Sequence, residues 1–334
     1  MSIGSGLAGS FGYAAESTYG TYVAPTKFLE FDKESFSKKK TIVQGGGLAG
    51  GRGVQLGSRR VVSVVEGNGS IDLEVANKGM GLLFQNLLGG TPTVVQQATT
   101  AAWLQTHTLG DNVGKSLTCQ VGVPDTTGTI RPYSFLGGKV LSAAFSCGVK
   151  GILNSTWEFD FQNVSEIQVL AAPSYATGLA PFHGGQLAVK IGTFGSEAAI
   201  TGVTKVDVKF ERPQNTDRFY ANAAGAPGTK SEPLWSDFFK ISGSLEQDFT
   251  DKTSLADKFA ADTSTSLILE WVGPTIASTF KETFRIKLPM TFFDSGTPDV
   301  SDTDITNTKY AFTAQYDGTN SAATIEYMST DTTV

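Results

Sequence analysis

The sequence predicts a mainly β protein that consists of two similar domains in tandem. Its 334 residues exceed the usual size of one domain, and at roughly 150 residues per domain they make about two. Charged residues are 17% of the chain, below the average of about 25%, and 38 glycines accompany abundant Thr, Ser and Val. Such a composition favours short strands joined by turns over helices.

An internal repeat supports the division into two domains. Residues 69–78 read GSIDLEVANK, and residues 243–252 read GSLEQDFTDK. Both segments begin with Gly and Ser, continue with a large aliphatic residue and two acids at alternate positions, and end with an Asx-Lys pair. A repeat without a gap indicates that one structural unit is used twice.

The first half of the chain predicts strand, long loop, strand, short helix and further strands, in that order. Residues 1–26 contain few periodic apolar residues, and we expect them to form an extended arm. Residues 38–60 form a long loop with a Gly-rich centre, and connections of that length are usually functional or disordered. Asn77 can cap a helix over residues 77–88, which Gly89 ends. The predicted strands cover residues 28–31, 61–75, 117–123, 139–147 and 157–164.

The second half repeats this order after a segment rich in Pro, Gly and Ala. Residues 212–233 are again a long loop, and residues 254–260 predict a short helix. The predicted strands cover residues 203–210, 234–249, 267–272, 284–293, 310–316 and 323–328. The predicted organisation is an arm at 1–26, a first domain at 27–170, a linker at 171–186, a second domain at 187–330 and a tail at 331–334.

No residue pattern in the chain indicates an enzyme or a cofactor site. Gly-rich strings at 4–9 and 45–50 match a dinucleotide fingerprint, but neither opens a helix after a strand. The two histidines, His107 and His183, and the two cysteines do not have the spacing of a metal site. No run approaches 18 apolar residues. We therefore expect no catalysis, no cofactor, no metal and no membrane insertion by this chain.

Paired acidic residues mark the repeated strand in both halves. Asp72 and Glu74 are two residues apart and so share one face of a strand, and Glu246 and Asp248 repeat the arrangement. The pattern predicts one core face and one acidic face. A glycoside hydrolase that uses Asp72 and Glu74 is an alternative, but its two carboxylates would have to flank a bond from opposite sides.

Charge is distributed unevenly along the chain. Residues 27–60 contain eight basic and three acidic residues, whereas residues 291–334 contain one basic and seven acidic residues. These segments are either two solvated faces or surfaces that attract each other between subunits arranged head to tail.

Several segments, in this order, resemble the major tail tube proteins of long-tailed bacteriophages. They are ESTYGT at 16–21, PT at 25–26, FLEF at 28–31, the Gly-rich loop, and residues 69–79 with the helix that follows. The resemblance is strongest over residues 13–90. It implies two tandem β-sandwich or barrel-like tail-tube domains, each with one short flanking helix. It also implies homotrimeric rings, in which three two-domain chains form a pseudo-hexamer, stacked into a tube.

The resemblance also implies a location and partners. The chain would be a structural virion protein of the phage tail, assembled in the host cytoplasm, and genomic DNA would pass through its tube to the host. Its partners would be copies of itself, the tape measure protein and DNA in the lumen, and other tail proteins at the tube ends. An alternative of a different class is a two-domain β-sandwich adhesin or capsid decoration module.

By position, the resemblance gives roles to two groups of residues. The loops at 38–60 and 212–233 correspond to the loop that reaches the neighbouring ring. Their contact residues would be Lys38, Lys39, Lys40, Gly47, Arg52, Arg59, Arg60, Arg218, Tyr220 and Asn222. The acid-bearing strands would line the lumen, with Asp72, Glu74, Glu246 and Asp248 as candidates. An anionic wall would repel the phosphates of a DNA duplex and let it slide.

Overall fold

A computed structural model describes residues 4–221, 228–298, 300 and 305–334 of the protein. The described chain is mainly β, as predicted. Its strands are β1 (Ser10–Glu16), β2 (Lys27–Leu29), β3 (Lys33–Glu34), β4 (Ser37–Gln44), β5 (Arg60–Glu74), β6 (Thr93–Gln96), β7 (Trp103–Thr108), β8 (Ser116–Pro124), β9 (Ile130–Gly148), β10 (Asn154–Phe161), β11 (Asn163–Ser165), β12 (Leu187–Thr193), β13 (Ser196–Ala199), β14 (Val203–Glu211), β15 (Gln214–Asn215), β16 (Phe219–Tyr220), β17 (Thr229–Lys230), β18 (Leu234–Trp235), β19 (Lys240–Asp248), β20 (Thr265–Ala277), β21 (Phe280–Phe293), β22 (Asn307–Gln315) and β23 (Thr324–Ser329). The helices are α1 (Gly81–Leu88) and α2 (Ala256–Ala260), with 3-10 turns at Gly6–Ala8, Gly57–Arg59 and Gly184–Gln186.

One antiparallel sheet runs through both halves of the chain. Its strands follow the order β5, β10, β9, β14, β19 and β22, and we call it the joint sheet. The two repeated segments lie on β5 and β19, and β10 pairs with β5 as β22 pairs with β19. Strand β9 of the first half bonds directly to β14 of the second half. The repeat therefore occupies equivalent strands of a single sheet.

The two faces of the joint sheet differ sharply in chemistry. One row of directly opposed residues is buried and apolar along its whole length: Ile71, Trp157, Ala143, Phe210 and Ile241. The neighbouring row on the other face is polar or small: Asp72, Thr156, Ala144, Lys209 and Ser242. Directly opposed residues share a face, so the sheet has one core face and one polar face.

Two further sheets share long strands with the joint sheet. A seven-stranded sheet has the order β13, β12, β20, β21, β23, β7 and β6. A third sheet has the order β2, β1, β8, β9 and β11. Strand β9 leaves the third sheet for the joint sheet along its length, and β21 leaves the seven-stranded sheet to pair with β22. A single cluster of buried apolar residues extends across both halves.

Helix α1 lies over this core and brings the layers together. The ring of Phe84 is fully buried and contacts Phe145 and Trp157 of the joint sheet and Phe284 and Tyr327 of the seven-stranded sheet. These contacts span sequence positions from both halves. Phe84 therefore contributes to the stability of the whole chain and not only of its own half.

Each end of α1 is fixed by residues distant in sequence. The helix begins after Met80 instead of at the predicted cap Asn77, whose side chain accepts from the Ala180 N–H at 2.9 Å. Gly89 ends the helix with φ of 76°, as predicted. The buried guanidinium of Arg212, from the second half, donates to the carbonyl oxygen of Leu87 at 2.7 Å and also to that of Leu88. Cations at a helix C-terminus satisfy carbonyls that have no partner within the helix.

The prediction of an extended arm at residues 1–26 is wrong for residues 10–16. Strand β1 lies between β2 and β8, and its Phe11 and Tyr13 are fully buried. Its Gly and Ala residues pack closely: a Cβ on Gly12 would lie 2.5 Å from the Phe28 ring. A strand that is covered on both faces does not alternate between polar and apolar residues. The sequence pattern therefore does not indicate β1 as a strand. The hairpin β6–β7 and the strands β12 and β13 also lie outside the predicted strands.

The two halves are interlocked through hydrogen-bonded strands. Besides the β9–β14 pair, strand β23 of the second half lies between β7 of the first half and β21 of the second. The domain boundaries at 170 and 187 stay a prediction. What the structure shows is a first half and a second half that share one core and two sheets.

Replacing Phe84 by Ala should lower the free energy of unfolding by about 3–5 kcal/mol, because the substitution leaves a cavity among four buried rings. Urea denaturation followed by tryptophan fluorescence measures this change. Phe238→Ala is the control, since Phe238 is 86% exposed and its loss should change stability by no more than about 0.5 kcal/mol. Equal effects of the two substitutions would contradict the central position of Phe84.

The contribution of His107 to stability should fall as the pH is lowered from about 6.5 to about 4. Burial lowers the pKa of His107 to about 4, so between these values the unfolded chain takes up a proton that the folded chain does not. The accumulated loss is up to about 3 kcal/mol. Urea denaturation at several pH values should show that the wild type and His183→Gln, whose histidine is exposed, lose about 3 kcal/mol more stability over this range than His107→Gln does. If His107→Gln loses as much stability over this pH range as the wild type, groups other than His107 cause the loss.

Candidate assembly surfaces

Residues 37–68 form a long β-hairpin that projects from the joint sheet. They were predicted as a loop from residue 38 to residue 60, but β4 pairs with β5 from Ser37 to Gln44, and only residues 45–59 connect the two strands. This hairpin, which we call the β4–β5 hairpin, carries exposed apolar side chains. They include Val43 at 55%, Leu48 at 102%, Val54 at 82% and Val61 at 59% exposure. Such a cluster of exposed apolar residues is typical of an interaction surface.

The predicted basic contact residues are spread along the β4–β5 hairpin. Lys38, Lys39 and Lys40 are exposed on β4, and Lys38 forms an ion pair with Glu166 of the same chain at 2.8 Å. Arg52 lies in the connection and is exposed, and Arg59 donates to the carbonyl oxygen of Gly47 at 3.3 Å. Arg60 is exposed at the start of β5. The charges of this surface are visible in the sequence, whereas the exposure of its apolar pairs Ile42–Val43 and Val61–Val62 is a finding of the structure.

The loop at residues 212–233, which we call the second-half loop, does not project in the same way. The Gly228 N–H donates to the Ser63 carbonyl at 2.8 Å, so the loop returns to the base of the β4–β5 hairpin. Arg218 donates to the carbonyl oxygen of Glu232 and to the Tyr220 hydroxyl, and Tyr220 is 57% exposed. Asn222 lies outside the described residues. The described ends of the second-half loop therefore lie against the first half, and the role of this loop in ring stacking stays a prediction.

Two buried lysines hold the second-half loop on the first half. Lys230 of the loop contacts Asp160 at 2.5 Å and Glu66 at 2.8 Å, and its side chain has no exposed area. Glu232 of the loop pairs with the fully buried Lys139 of β9. Sequence reasoning missed both contacts, because an isolated lysine in a Gly- and Ala-rich loop gives no signal of its distant partners.

The second half exposes aromatic residues where the first half exposes valines. The repeat aligns residues 234–239, which precede β19, with residues 60–65, which begin β5. Trp235 is 40% and Phe238 is 86% exposed, and the Trp235 ring also stacks on the Arg212 guanidinium at 4.7 Å. Each half therefore presents large apolar side chains at the same place in the repeat.

The polar face of the joint sheet brings all four acidic candidates together on one surface. Asp72 and Glu74 lie on β5, and Glu246 and Asp248 lie on β19 of the same sheet. Asp72 accepts from the Thr156 hydroxyl at 2.7 Å. The pKa of Glu74 is raised, because Glu74 is partly buried and lies near Asp32 and Glu30.

The polar face is more acidic in the first half than in the second. Glu158 joins Asp72 and Glu74 in the first half, and none of these three carboxylates has an ion pair among the described residues. In the second half, Lys205 contacts Asp207 at 2.9 Å and Glu246 at 3.9 Å, and Lys209 pairs with Glu211. Asp248 accepts from the Asn307 amide at 3.1 Å.

The described residues hold no cluster of three or more His, Cys, Asp or Glu side chains that is placed to bind a metal ion. Within the same residues, no helix is long and apolar enough to cross a bilayer. These findings concern only the part of the chain that the structure describes.

A comparison with protein-family models identifies the chain. The model of the family described as phage tail tube protein matches residues 6–327, which is nearly the whole sequence. The comparison with curated proteins found no match. The match includes the joint sheet, the β4–β5 hairpin and both repeated segments, and therefore covers every surface described above. The chain belongs to the phage tail tube protein family.

Proposed function

We propose that the protein forms the wall of a tail tube by ring formation and ring stacking, with three two-domain chains in each pseudo-hexameric ring. The observation that carries this proposal is the joint sheet, which crosses from one half to the other through the β9–β14 pair. This pair joins two copies of the repeated unit inside one chain. The same contact between chains would join further copies in a closed, head-to-tail arrangement.

Both ends of the joint sheet offer edges for such a contact. At one end, β3 and β4 pair with β5 only, and their outer edge has no strand partner among the described residues. At the other end, β22 pairs with β21 only from Phe312 to Gln315, and residues 307–310 have no strand partner on that side within the described chain. An open edge is a template for pairing with another strand. We propose that the first edge of one chain meets the second edge of the next.

The β4–β5 hairpin supports the stacking of one ring on another. Its apolar residues gain most from burial, and its basic residues add charge complementarity to the acidic segment at 291–334 of another ring. Of the contact residues predicted from the sequence, those at 38–60 remain candidates for this interface. Tyr220 and Arg218 are proposed as contacts from the second half.

The polar face of the joint sheet is proposed to line the lumen, with Asp72, Glu74, Glu246 and Asp248 facing the channel. Its other face is already covered by the core, so closing the sheet into a ring leaves this face toward the axis. Repulsion between its carboxylates and phosphates lets DNA pass without binding. Genomic DNA and the tape measure protein are the proposed contents of the lumen.

We infer a structural role without catalysis, in the tail of the virion, after assembly in the host cytoplasm. The other proposed partners are tail proteins at the two ends of the tube. Negative-stain electron microscopy of the purified protein tests the proposal. Rings or tubes with a central channel and threefold or sixfold symmetry support it. A monodisperse monomer at high concentration would instead favour an adhesin or capsid decoration module.

Introducing aspartate at Val43 and Val61 together should weaken tube formation, because these two residues are opposed on the β4–β5 hairpin and their burial would be lost. Burying one valine is worth roughly 1.5–3 kcal/mol, so the protein concentration needed for tubes should rise at least about tenfold. Microscopy and sedimentation velocity measure the effect, and circular dichroism checks the fold. Val169→Asp, at a residue that is 83% exposed outside the hairpin, is the control. Normal tubes from the double variant would exclude this stacking surface.

Replacing Asp72 and Glu74 by lysine should produce tubes that bind duplex DNA, whereas wild-type tubes should not. The change makes the lumen locally basic, and binding should weaken steeply with added salt because counterions compete. Cosedimentation of linear DNA with assembled tubes measures it. The matched control replaces Asp257 and Asp262 by lysine, on and just after α2, which is not part of the joint sheet. DNA binding that is equal in the two variants would contradict the assignment of this face to the lumen.

A further inference from the structure

Lys230 lies in a buried triad with two carboxylates, at the place where the second-half loop returns to the first half. Its Nζ is 2.5 Å from Asp160 Oδ1 on β10 and 2.8 Å from Glu66 Oε2 on β5. The Lys230 side chain is 0% exposed, that of Asp160 is 6% exposed, and that of Glu66 is 29% exposed. The ring of Phe219 covers the amine at 5.7 Å.

This environment favours the neutral form of the Asp160 carboxylic acid, because burial removes water from a carboxylate. Separated charges are costly away from water, and a proton shared between partners relieves that cost. The second oxygen of Asp160, Oδ2, is buried and has no hydrogen-bond partner in the described structure. Burial raises the pKa of Asp160 to about 6. A protonated Asp160 beside an amine has the composition of an amide plus one water.

We propose that Lys230 and Asp160 condense spontaneously to an intramolecular isopeptide bond, with Glu66 as the proton acceptor. The amine nitrogen already touches the carboxyl group that it would attack. Holding reactants in such contact is equivalent to effective concentrations of about 10⁵–10⁸ M in favourable intramolecular reactions. The inference goes beyond the proposed function and does not depend on tube assembly.

The step balances without any added reagent. Neutral Lys230 Nζ attacks the Cγ of protonated Asp160, and Glu66 takes one proton from the nitrogen as the C–N bond forms. Glu66 then gives that proton to the Asp160 hydroxyl, which leaves as water when the C–O bond breaks. Glu66 lies within the distance over which general acids and bases transfer protons, and its exposed part connects the site to solvent.

The neighbouring lysine provides an internal comparison. Lys139 is equally buried, but its ammonium donates to the carbonyl oxygens of Asn112 at 2.6 Å and Lys115 at 2.8 Å and pairs with Glu232. Two carbonyl oxygens and one carboxylate contact this ammonium, and no second carboxylate contacts it among the described residues. Lys139 therefore lacks a second carboxylate that could act as a base, whereas Lys230 contacts two carboxylates.

The bond would tie β17 of the second-half loop to β10 of the first half. Gln162 donates to the Lys230 carbonyl at 2.9 Å, and the Gly228 N–H donates to Ser63, so the loop is already aligned for the reaction. A covalent link there would keep the loop in place when the halves are pulled apart.

Intact-protein mass spectrometry of the folded full chain tests the proposal. The wild type should be lighter than its sequence by one water, and so should the control Glu232→Gln. Lys230→Arg and Glu66→Gln should have their full sequence masses while keeping the wild-type circular dichroism. Trypsin digestion of the wild type should yield one linked species in which the peptide 151–190 is joined to the peptide 219–240, because an acylated Lys230 is not cleaved.

Each other result contradicts the proposal. If the wild-type chain keeps its full sequence mass after prolonged incubation, Lys230 and Asp160 form only an ion pair. A water loss that survives in Lys230→Arg arises at another position, such as a succinimide at Asp317–Gly318. Complete bond formation in the Glu66→Gln variant would show that Glu66 is not the proton acceptor.

Discussion

The structure depends on keeping one face of the joint sheet away from water. Trp157, Phe145 and Phe210 stand side by side on that face although they come from different halves of the chain. Burial of such area is the main favourable term in folding. Helix α1 and the seven-stranded sheet provide the cover, and Phe84 fills the space between them. The opposite face then needs only polar or small side chains, and it is free to carry charge.

The two halves share a plan but use their long connections differently. The second-half loop is held on the first half by Lys230, Glu232 and a backbone hydrogen bond from Gly228. The β4–β5 hairpin remains extended and exposed. The two long connections are therefore not equivalent, since one is held on the other half of the chain and the other is exposed.

The sequence predicted the elements that have a clear period or a clear boundary. The repeat located β5 and β19, and Gly89 ended α1 at the predicted residue because only a left-handed backbone was acceptable there. Strand β1 was missed because its Phe11 and Tyr13 alternate with Gly and Ala in a strand buried on both sides. The buried partners of Lys230 were unpredictable, since they lie on β5 and β10 and are brought together only by the complete fold. For the assembly surfaces, charge was readable from composition, whereas exposure required the structure.

The insertion of β23 between β7 and β21 has a consequence for synthesis of the chain. Until residues 324–329 leave the ribosome, β7 in the first half and β21 in the second each lack a neighbouring strand. Contacts between residues so far apart form late and slowly. A nascent chain consequently cannot complete the seven-stranded sheet before residues 324–329 have been translated.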